Sequence, residues 1–328
     1  MARRILGVAW GAIALTLVAS APRAGADGLP VPGVITPSGG VPGPGGTHFV
    51  TRTKHGATTI RELGAGGAVL DSRSVPGSYT VPAVALDGSP GGLSANGSTL
   101  VLIRPRASFP QSRTHLLILG ADGLSVRDRL TLNGDFSFDA ISSDGSRLYF
   151  IEYLSAADPT RYAVRAYDVA AGELIAKPIV DPNEENPDEM RGYPLTRATS
   201  PDGRWAYTLY DGGGKHPFVH ALDTAEGHAV CIDTPSLAGR RDLYQLGLGV
   251  SGDGSTLTVA DEGRPIAVVD TQTFEVRSPG APPPVPDTGN GDVWRLIIPA
   301  VVVATLATGA FILIARRRHP SDLAPHDA

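Results

Sequence analysis

The stretch SPDGRWAYTL (residues 200–209) opens on a turn and runs directly into an apolar strand. Three relatives of it stand elsewhere in the chain: SANGSTLVLI (94–103), SSDGSRLYFI (142–151) and SGDGSTLTVA (251–260). They recur at intervals of about 50 residues, the period of a repeated supersecondary unit. Each turn has its own chemistry. The Asp or Asn side chain accepts a hydrogen bond from the backbone two residues on, and the Gly takes the positive φ that a tight hairpin requires. The residues that follow, Leu148-Tyr149-Phe150-Ile151 for example, favour strands.

A second element recurs downstream of the first: ELGAGGAV from Glu62, LILGADGLSV from Leu117, AYDVAAGELI from Ala166, ALDTAEGHAV from Ala221 and VVDTQTFEV from Val268. Each reads as strand, short turn, strand. Gly67, Gly123, Gly172 and Gly227 hold the same turn position. Phe274 replaces glycine in the last copy, where a glycine is expected to bring no advantage. One complete unit is four strands in a meander, as in residues 135–142, 147–154, 162–169 and 173–180. Four antiparallel strands repeated at this period predict an all-β fold, a β-propeller of four-stranded blades. Five units fit, at residues 30–76, 80–132, 135–181, 192–235 and 244–277.

SPDGRWAYTL and AYDVAAGEL resemble the repeats of YVTN-type and WD-like propellers of bacterial secreted and surface proteins. The resemblance covers most of residues 80–277 and implies blade hairpins, not an activity. Seven blades are usual in those proteins, and this chain has room for fewer, so blade number and ring closure stay open at this point.

The two ends read differently from the middle. Arg3 and Arg4, an apolar run over residues 5–18 and the small-residue sites Ala19-Ser20-Ala21 and Ala24-Gly25-Ala26 form the pattern of a secretory signal, expected over residues 1–26. Residues 294–315 are expected to be a single transmembrane helix, because their apolar run is long enough for a hydrocarbon core about 30 Å thick. Trp294 and the cluster Arg316, Arg317 and Arg318 flank it. Basic residues stay inside, which makes residues 316–328 a cytoplasmic tail and places residues 27–277 outside the cell. The expected localisation is therefore the cell membrane, single-pass. Of 33 acidic and 28 basic residues, the terminal segments hold two acids and seven arginines, which leaves 31 against 21 between them. That excess of negative charge excludes nucleic acid as a partner. Cys231 is the only cysteine, so no intrachain disulfide forms.

In a meander blade the tight turns above share one rim, and the connections between second and third strands and between blades share the other. The second group is longer: RPRASFPQSR from Arg104, SAADPTR from Ser155, DPNEENPDEMRG from Asp181, DGGGKHP from Asp211 and PSLAGRRDLY from Pro235. Long loops on a rigid scaffold concentrate binding residues. The candidates are Arg104, Arg106, Glu184, Glu185, Asp188, His216, Arg240 and Arg241, and the expected ligand is an extracytoplasmic protein or glycan.

Chemistry beyond binding finds little support. Asp181, Glu184, Glu185, Asp188 and Glu189 offer carboxylates for Ca²⁺ but lack the turn glycine of an EF-hand loop, and a solvated acidic loop is the expectation. His216, His220 and His228 have neither helical spacing nor a thiolate partner, so no metal site and no cofactor is expected. There is no G-x-S-x-G, phosphate loop or cofactor fingerprint, and no catalytic residue is assigned. The alternative is an extracytoplasmic hydrolase, lactonase- or glycosidase-like, at the channel mouth. Asp139, on an innermost strand, is its one carboxylate candidate. Residues 278–293 form a Pro/Gly-rich linker, and within it Val285-Pro286-Asp287-Thr288-Gly289 resembles the L-P-x-T-G sorting motif. That resemblance implies cleavage between Thr288 and Gly289 and attachment to the cell wall, as an alternative to a simple membrane anchor.

Overall fold

The computed structural model describes residues 40–184, 190–214 and 216–280. The expected signal segment, linker, membrane span and tail lie outside them, as do Glu185, Asp188, Thr288 and Gly289. Among the described residues no helix is long and apolar enough to cross a membrane.

The described chain is all-β, built as five antiparallel sheets in chain order. Blade 1 runs β1 (Val41–Pro42), β2 (His48–Lys54), β3 (Ala57–Leu63) and β4 (Val69–Pro76). Blade 2 contains β5 (Thr99–Ile103), β6 (Arg113–Gly120), β7 (Val126–Asp128) and β8 (Thr131–Asn133), the last two both pairing with β6. Blade 3 has β9 (Phe136–Ile141), β10 (Arg147–Tyr153), β11 (Arg161–Asp168) and β12 (Glu173–Leu174), with β13 (Met190–Arg191) added on β11. Blade 4 is β14 (Pro194–Thr199), β15 (Trp205–Tyr210), β16 (Phe218–Asp223) and β17 (His228–Asp233). Blade 5 is β18 (Leu246–Val250), β19 (Thr256–Asp261), β20 (Arg264–Asp270) and β21 (Val276–Arg277). Each sheet is a meander of neighbouring strands, and all five expected repeat units contain one.

The repeated turns explain this regularity. In the blade 4 copy Asp202 Oδ1 accepts from Ser200 Oγ at 2.5 Å and Arg204 N at 3.0 Å, and Ser200 Oγ accepts from Trp205 N at 2.8 Å. Blades 3 and 5 repeat the arrangement through Asp144 and Asp253, and blade 2 through Asn96. The second turn is closed by Asp168, Asp223 and Asp270, each of which accepts from two backbone N–H groups of its own turn. Phe274 departs from expectation. It adopts φ 59°, beside 70° for Gly172, so the last copy keeps the left-handed geometry without the glycine.

Four apolar clusters join the blades face to face. Phe49 and Ile60 pack with Leu100 and Leu117, Ile118 with Phe138 and Phe150, Tyr149 and Val164 with Ala206 and Leu222, and Leu209 and Val219 with Leu257 and Val259. These strands alternate or run continuously apolar because their inner positions face a neighbouring sheet on one or both sides.

Two elements differ from the simple meander. The fourth strand of blade 3, expected over residues 173–180, holds only Glu173–Leu174 before breaking, and Ile179 then rejoins β11 by a bridge to Val164. Pro178, with no N–H to donate, stands in the gap. In blade 2 the innermost segment is not a continuous strand. It pairs with β5 at Thr80 and Leu93, and residues 83–90 turn away between these points. There Leu86 N donates to Pro194 O at 2.9 Å and Asp87 N to Leu195 O at 3.1 Å, so the segment crosses from blade 2 to the inner strand of blade 4.

Candidate functional site

The long connections meet one another on one side of the sheets. Gly192 N donates to Thr160 O at 3.1 Å, and Arg191 lies 4.0 Å from Asp158, which joins the connection after β10 to the one before β14. Thr234 N likewise donates to Pro217 O at 3.3 Å, across the ends of β16 and β17.

The candidate residues divide into surface and scaffold. Arg104 is exposed, with its guanidinium 5.9 Å from the Tyr79 ring centre. Glu184, His216 and Arg241 are exposed as well. Arg106 is not a surface group: its side chain is only 4% exposed and is ion-paired with Asp135, 29 residues on. Gln111 N donates to the other Asp135 oxygen at 2.7 Å, and the Arg106 guanidinium lies over the Tyr153 ring at 5.1 Å. These contacts pin residues 104–112 to the start of β9. Arg240 bridges Asp242 and Asp261, both at 2.7 Å, and holds the blade 4 to blade 5 connection against β19. Near it, Tyr244 is 69% exposed, an aromatic that the reading by charge did not include.

A polar seam lies between blades 3 and 4. Strand register places Arg197, Thr208, His220 and Cys231 in one row across blade 4, on the face that also carries Ala206 and Tyr210 against blade 3. Arg197 is ion-paired with Asp139, and both side chains are buried. Asp139 lies at a register shift in β9, between Phe138 and Ala140, whose partners Phe150 and Tyr149 are adjacent. A one-residue bulge re-aims a side chain in this way. Asp139 Oδ2, Arg197 Nε, Thr208 Oγ1 and His220 Nε2 are buried there without a hydrogen-bond partner. Burial pushes the His220 imidazole down to about 4, against an opposing pull from Asp139, so it is neutral near pH 7. Tyr162 and Tyr210 close the seam with ring centres 5.7 Å apart, and burial raises both phenols well above their ordinary range.

At the outer end of the row the acidic connection begins. Asp181, Glu184 and Cys231 bring one carboxylate oxygen each and the thiol sulfur within 4.8 Å of one another. Burial pushes the Cys231 thiol up to about 12, and the charges acting on it, from Glu184, Asp181 and Asp233, all add to that rise. A second group, Asp223, Glu226 and His228, is equally close-set, but Arg204 already serves it. Arg204 donates to Asp223 at 2.6 Å and to Glu226 at 3.1 Å. The three histidines therefore do not form one set: His216 is exposed, His228 lies beside Asp223, and His220 faces the seam.

No protein-family model and no curated protein matches the chain. Similar solved structures include hydrazine synthase of Kuenenia stuttgartiensis, at 17% identity and a TM-score of 0.42 over 72% of this chain and 69% of that one. TolB from Acinetobacter baumannii is 13% identical, with a TM-score of 0.40 over 70% of this chain and 50% of that one. The Dos1 propeller is 11% identical, with a TM-score of 0.39 over 73% of this chain and 57% of that one. With likeness this partial, the blade architecture rests on the strand pairing of this chain itself.

Proposed function

We propose that this chain is a propeller-type binding module, displayed outside the cell on a single membrane span and engaging an extracytoplasmic protein or glycan through its long-loop rim. The observation that carries this reading is the division of labour among the rim arginines. Arg106 and Arg240 tie their loops to the sheets, while Arg104 and Arg241 remain exposed on the loops so held. A surface ordered before its partner arrives loses less freedom on binding. Exposed Tyr244 adds the side-chain type that, with arginine, dominates interface energetics.

The hydrolase alternative leans on Asp139, and two features weigh against it. One Asp139 oxygen is engaged by Arg197, and the group lies buried in the seam between blades rather than at an open mouth. The blade 2 segment bonded to Pro194 and Leu195 also crosses the inner edge of the sheets, where a channel substrate would enter.

The test uses the full chain in lipid nanodiscs, probed against a glycan array and biotinylated cell-surface proteins. Binding is expected, and the combined variant Arg104→Ala, Arg241→Ala, Tyr244→Ala should weaken it at least tenfold. Ser255→Ala, on the opposite turn rim, should leave it unchanged. Equal binding by both variants would overturn the rim assignment, and turnover of lactone or glycoside substrates that is lost in Asp139→Asn would favour the hydrolase.

A further inference from the structure

The sheet of blade 1 sorts its charges by face. Strand register puts Phe49, Glu62 and Asp71 in one row and Thr51, Ile60 and Arg73 in the next, on the face that packs against blade 2. The alternate rows leave the opposite face, and they read Val50-Arg61-Ser72, Arg52-Thr59-Ser74 and Lys54-Ala57-Pro76. Glu62 and Asp71 are the acids of β2, β3 and β4, so both stand on the face toward blade 2. Arg52, Lys54 and Arg61 all stand on the outward one.

Among the described residues that outward face has no neighbouring sheet. The four apolar clusters join successive blades from 1 to 5, and none of them takes in a residue of the outward rows. Arg52, Lys54 and Arg61 are exposed, and among the described residues they enter no ion pair. Arg165, Arg197, Arg204 and Arg277 of the later blades, by contrast, each reach an acid. The three cations occupy consecutive rows, Arg61 beside Arg52 and Arg52 beside Lys54, at intervals of about 7–8 Å. That is within a Debye length of about 8 Å at physiological salt, so they act on a ligand together.

We propose that the outward face of blade 1 binds an acidic polysaccharide, one that carries carboxylates along an extended chain, at a surface separate from the loop rim. Guanidinium groups match carboxylates with paired N–H donors. Ser72 shares a row with Arg61, and Thr59 and Ser74 share one with Arg52, which sets hydroxyls beside each guanidinium for the hydroxyls of a sugar. Charges in a line fit a chain better than a plane. An anionic membrane would meet the whole protein, whose 31 acids against 21 bases between the terminal segments repel it. A single chain laid along the rows is governed by the charges nearest to it.

Polygalacturonate serves as the probe and dextran as the uncharged comparison, each titrated calorimetrically into the full chain in phosphatidylcholine nanodiscs. Polygalacturonate is expected to bind, more weakly as sodium chloride is raised, and dextran is not. Combining Arg52→Gln, Lys54→Gln and Arg61→Gln, all at exposed positions, should weaken binding about tenfold. Arg73→Gln removes the same charge from the other face of the same sheet and should leave binding unchanged. The rim variant Arg104→Ala, Arg241→Ala, Tyr244→Ala should also bind normally, so this result stands or falls apart from the rim reading. Unchanged binding by the blade 1 triple variant, or an equal loss in Arg73→Gln, would overturn the site. Tighter binding to phosphatidylglycerol vesicles or to a single-stranded oligonucleotide than to polygalacturonate would overturn the choice of ligand.

Discussion

Gly172 and Gly203 both adopt positive φ, 70° and 73°, yet they answer to different constraints. A methyl group on Gly172 would enter open space, with Tyr167 Oη at 3.9 Å its nearest neighbour. Only the left-handed backbone resists it, at about 1–2 kcal/mol. On Gly203 the same methyl would collide with Ala95 Cβ, because the blade 4 turn stacks on the blade 2 turn. Ser143 Oγ, which donates to Asp202 O at 2.7 Å, and Asn96 N, which donates to Ser143 O at 3.0 Å, lock the three turns together. Neither turn has room to yield, so overpacking of about 1–3 kcal/mol adds to the backbone term. Gly203→Ala is therefore expected to lose roughly twice the stability lost by Gly172→Ala in urea denaturation. Gly172→Val should lose about 1–3 kcal/mol. Equal losses for the two alanine variants would show that the turns are not stacked. Phe274 occupies the position of Gly172 in blade 5 at φ 59°, and its ring packs edge-on against Trp205 at 5.3 Å, a contact that offsets the strain.

Between elements, two buried ion pairs, Arg106 with Asp135 and Arg197 with Asp139, add to the joining done by the apolar clusters. Asp139 of β9 and Arg197 of β14 link the inner strands of blades 3 and 4. Breaking such a pair leaves an uncompensated buried charge, at a cost of about 3–5 kcal/mol, whereas replacing both members with apolar groups is often neutral. Arg197→Met should accordingly destabilise the protein by that amount, and adding Asp139→Leu should recover most of the loss in the same denaturation assay. A double variant no better than the single one would show that the charges matter for more than each other. The sequence pattern exposed some of this and hid the rest. Turn chemistry located four sheets through Ser, Asp or Asn and Gly at fixed offsets that define a hairpin locally, and the first through the turn at Gly67. The pairing of His220 with Cys231 was legible too, since counting three residues outward from Asp223 and His228 reaches it. Nearness in sequence groups His220 with His216 and His228, and only strand register separates them. Asp181, 50 residues before the Cys231 N–H it accepts from, had no such marker. Nor did the bulge that turns Asp139 toward Arg197, or the burial of Arg106, since single-residue bulges and loop paths leave no periodic trace.

For the molecule as a whole, the proposed display outside the cell needs a means of attachment, and residues 285–289 separate two readings of it. A permanent span and a sorting signal share the apolar run, the flanking Trp294 and the cluster Arg316, Arg317 and Arg318. They differ in what a transpeptidase would find at Val285-Pro286-Asp287-Thr288-Gly289. Valine stands where the sorting motif has leucine. That departure favours the permanent span. If it is retained, detergent releases the intact chain and Thr288→Ala changes nothing. If the chain is sorted, the mature protein ends at Thr288, resists detergent, is freed by wall-digesting enzymes, and loses wall attachment in Thr288→Ala. We expect detergent release, no effect of the substitution, and a mature chain that continues past Thr288 by mass spectrometry of the intact protein. A mature C-terminus at Thr288 would reverse the assignment and leave the propeller covalently fixed to the wall, with its rim facing partners there.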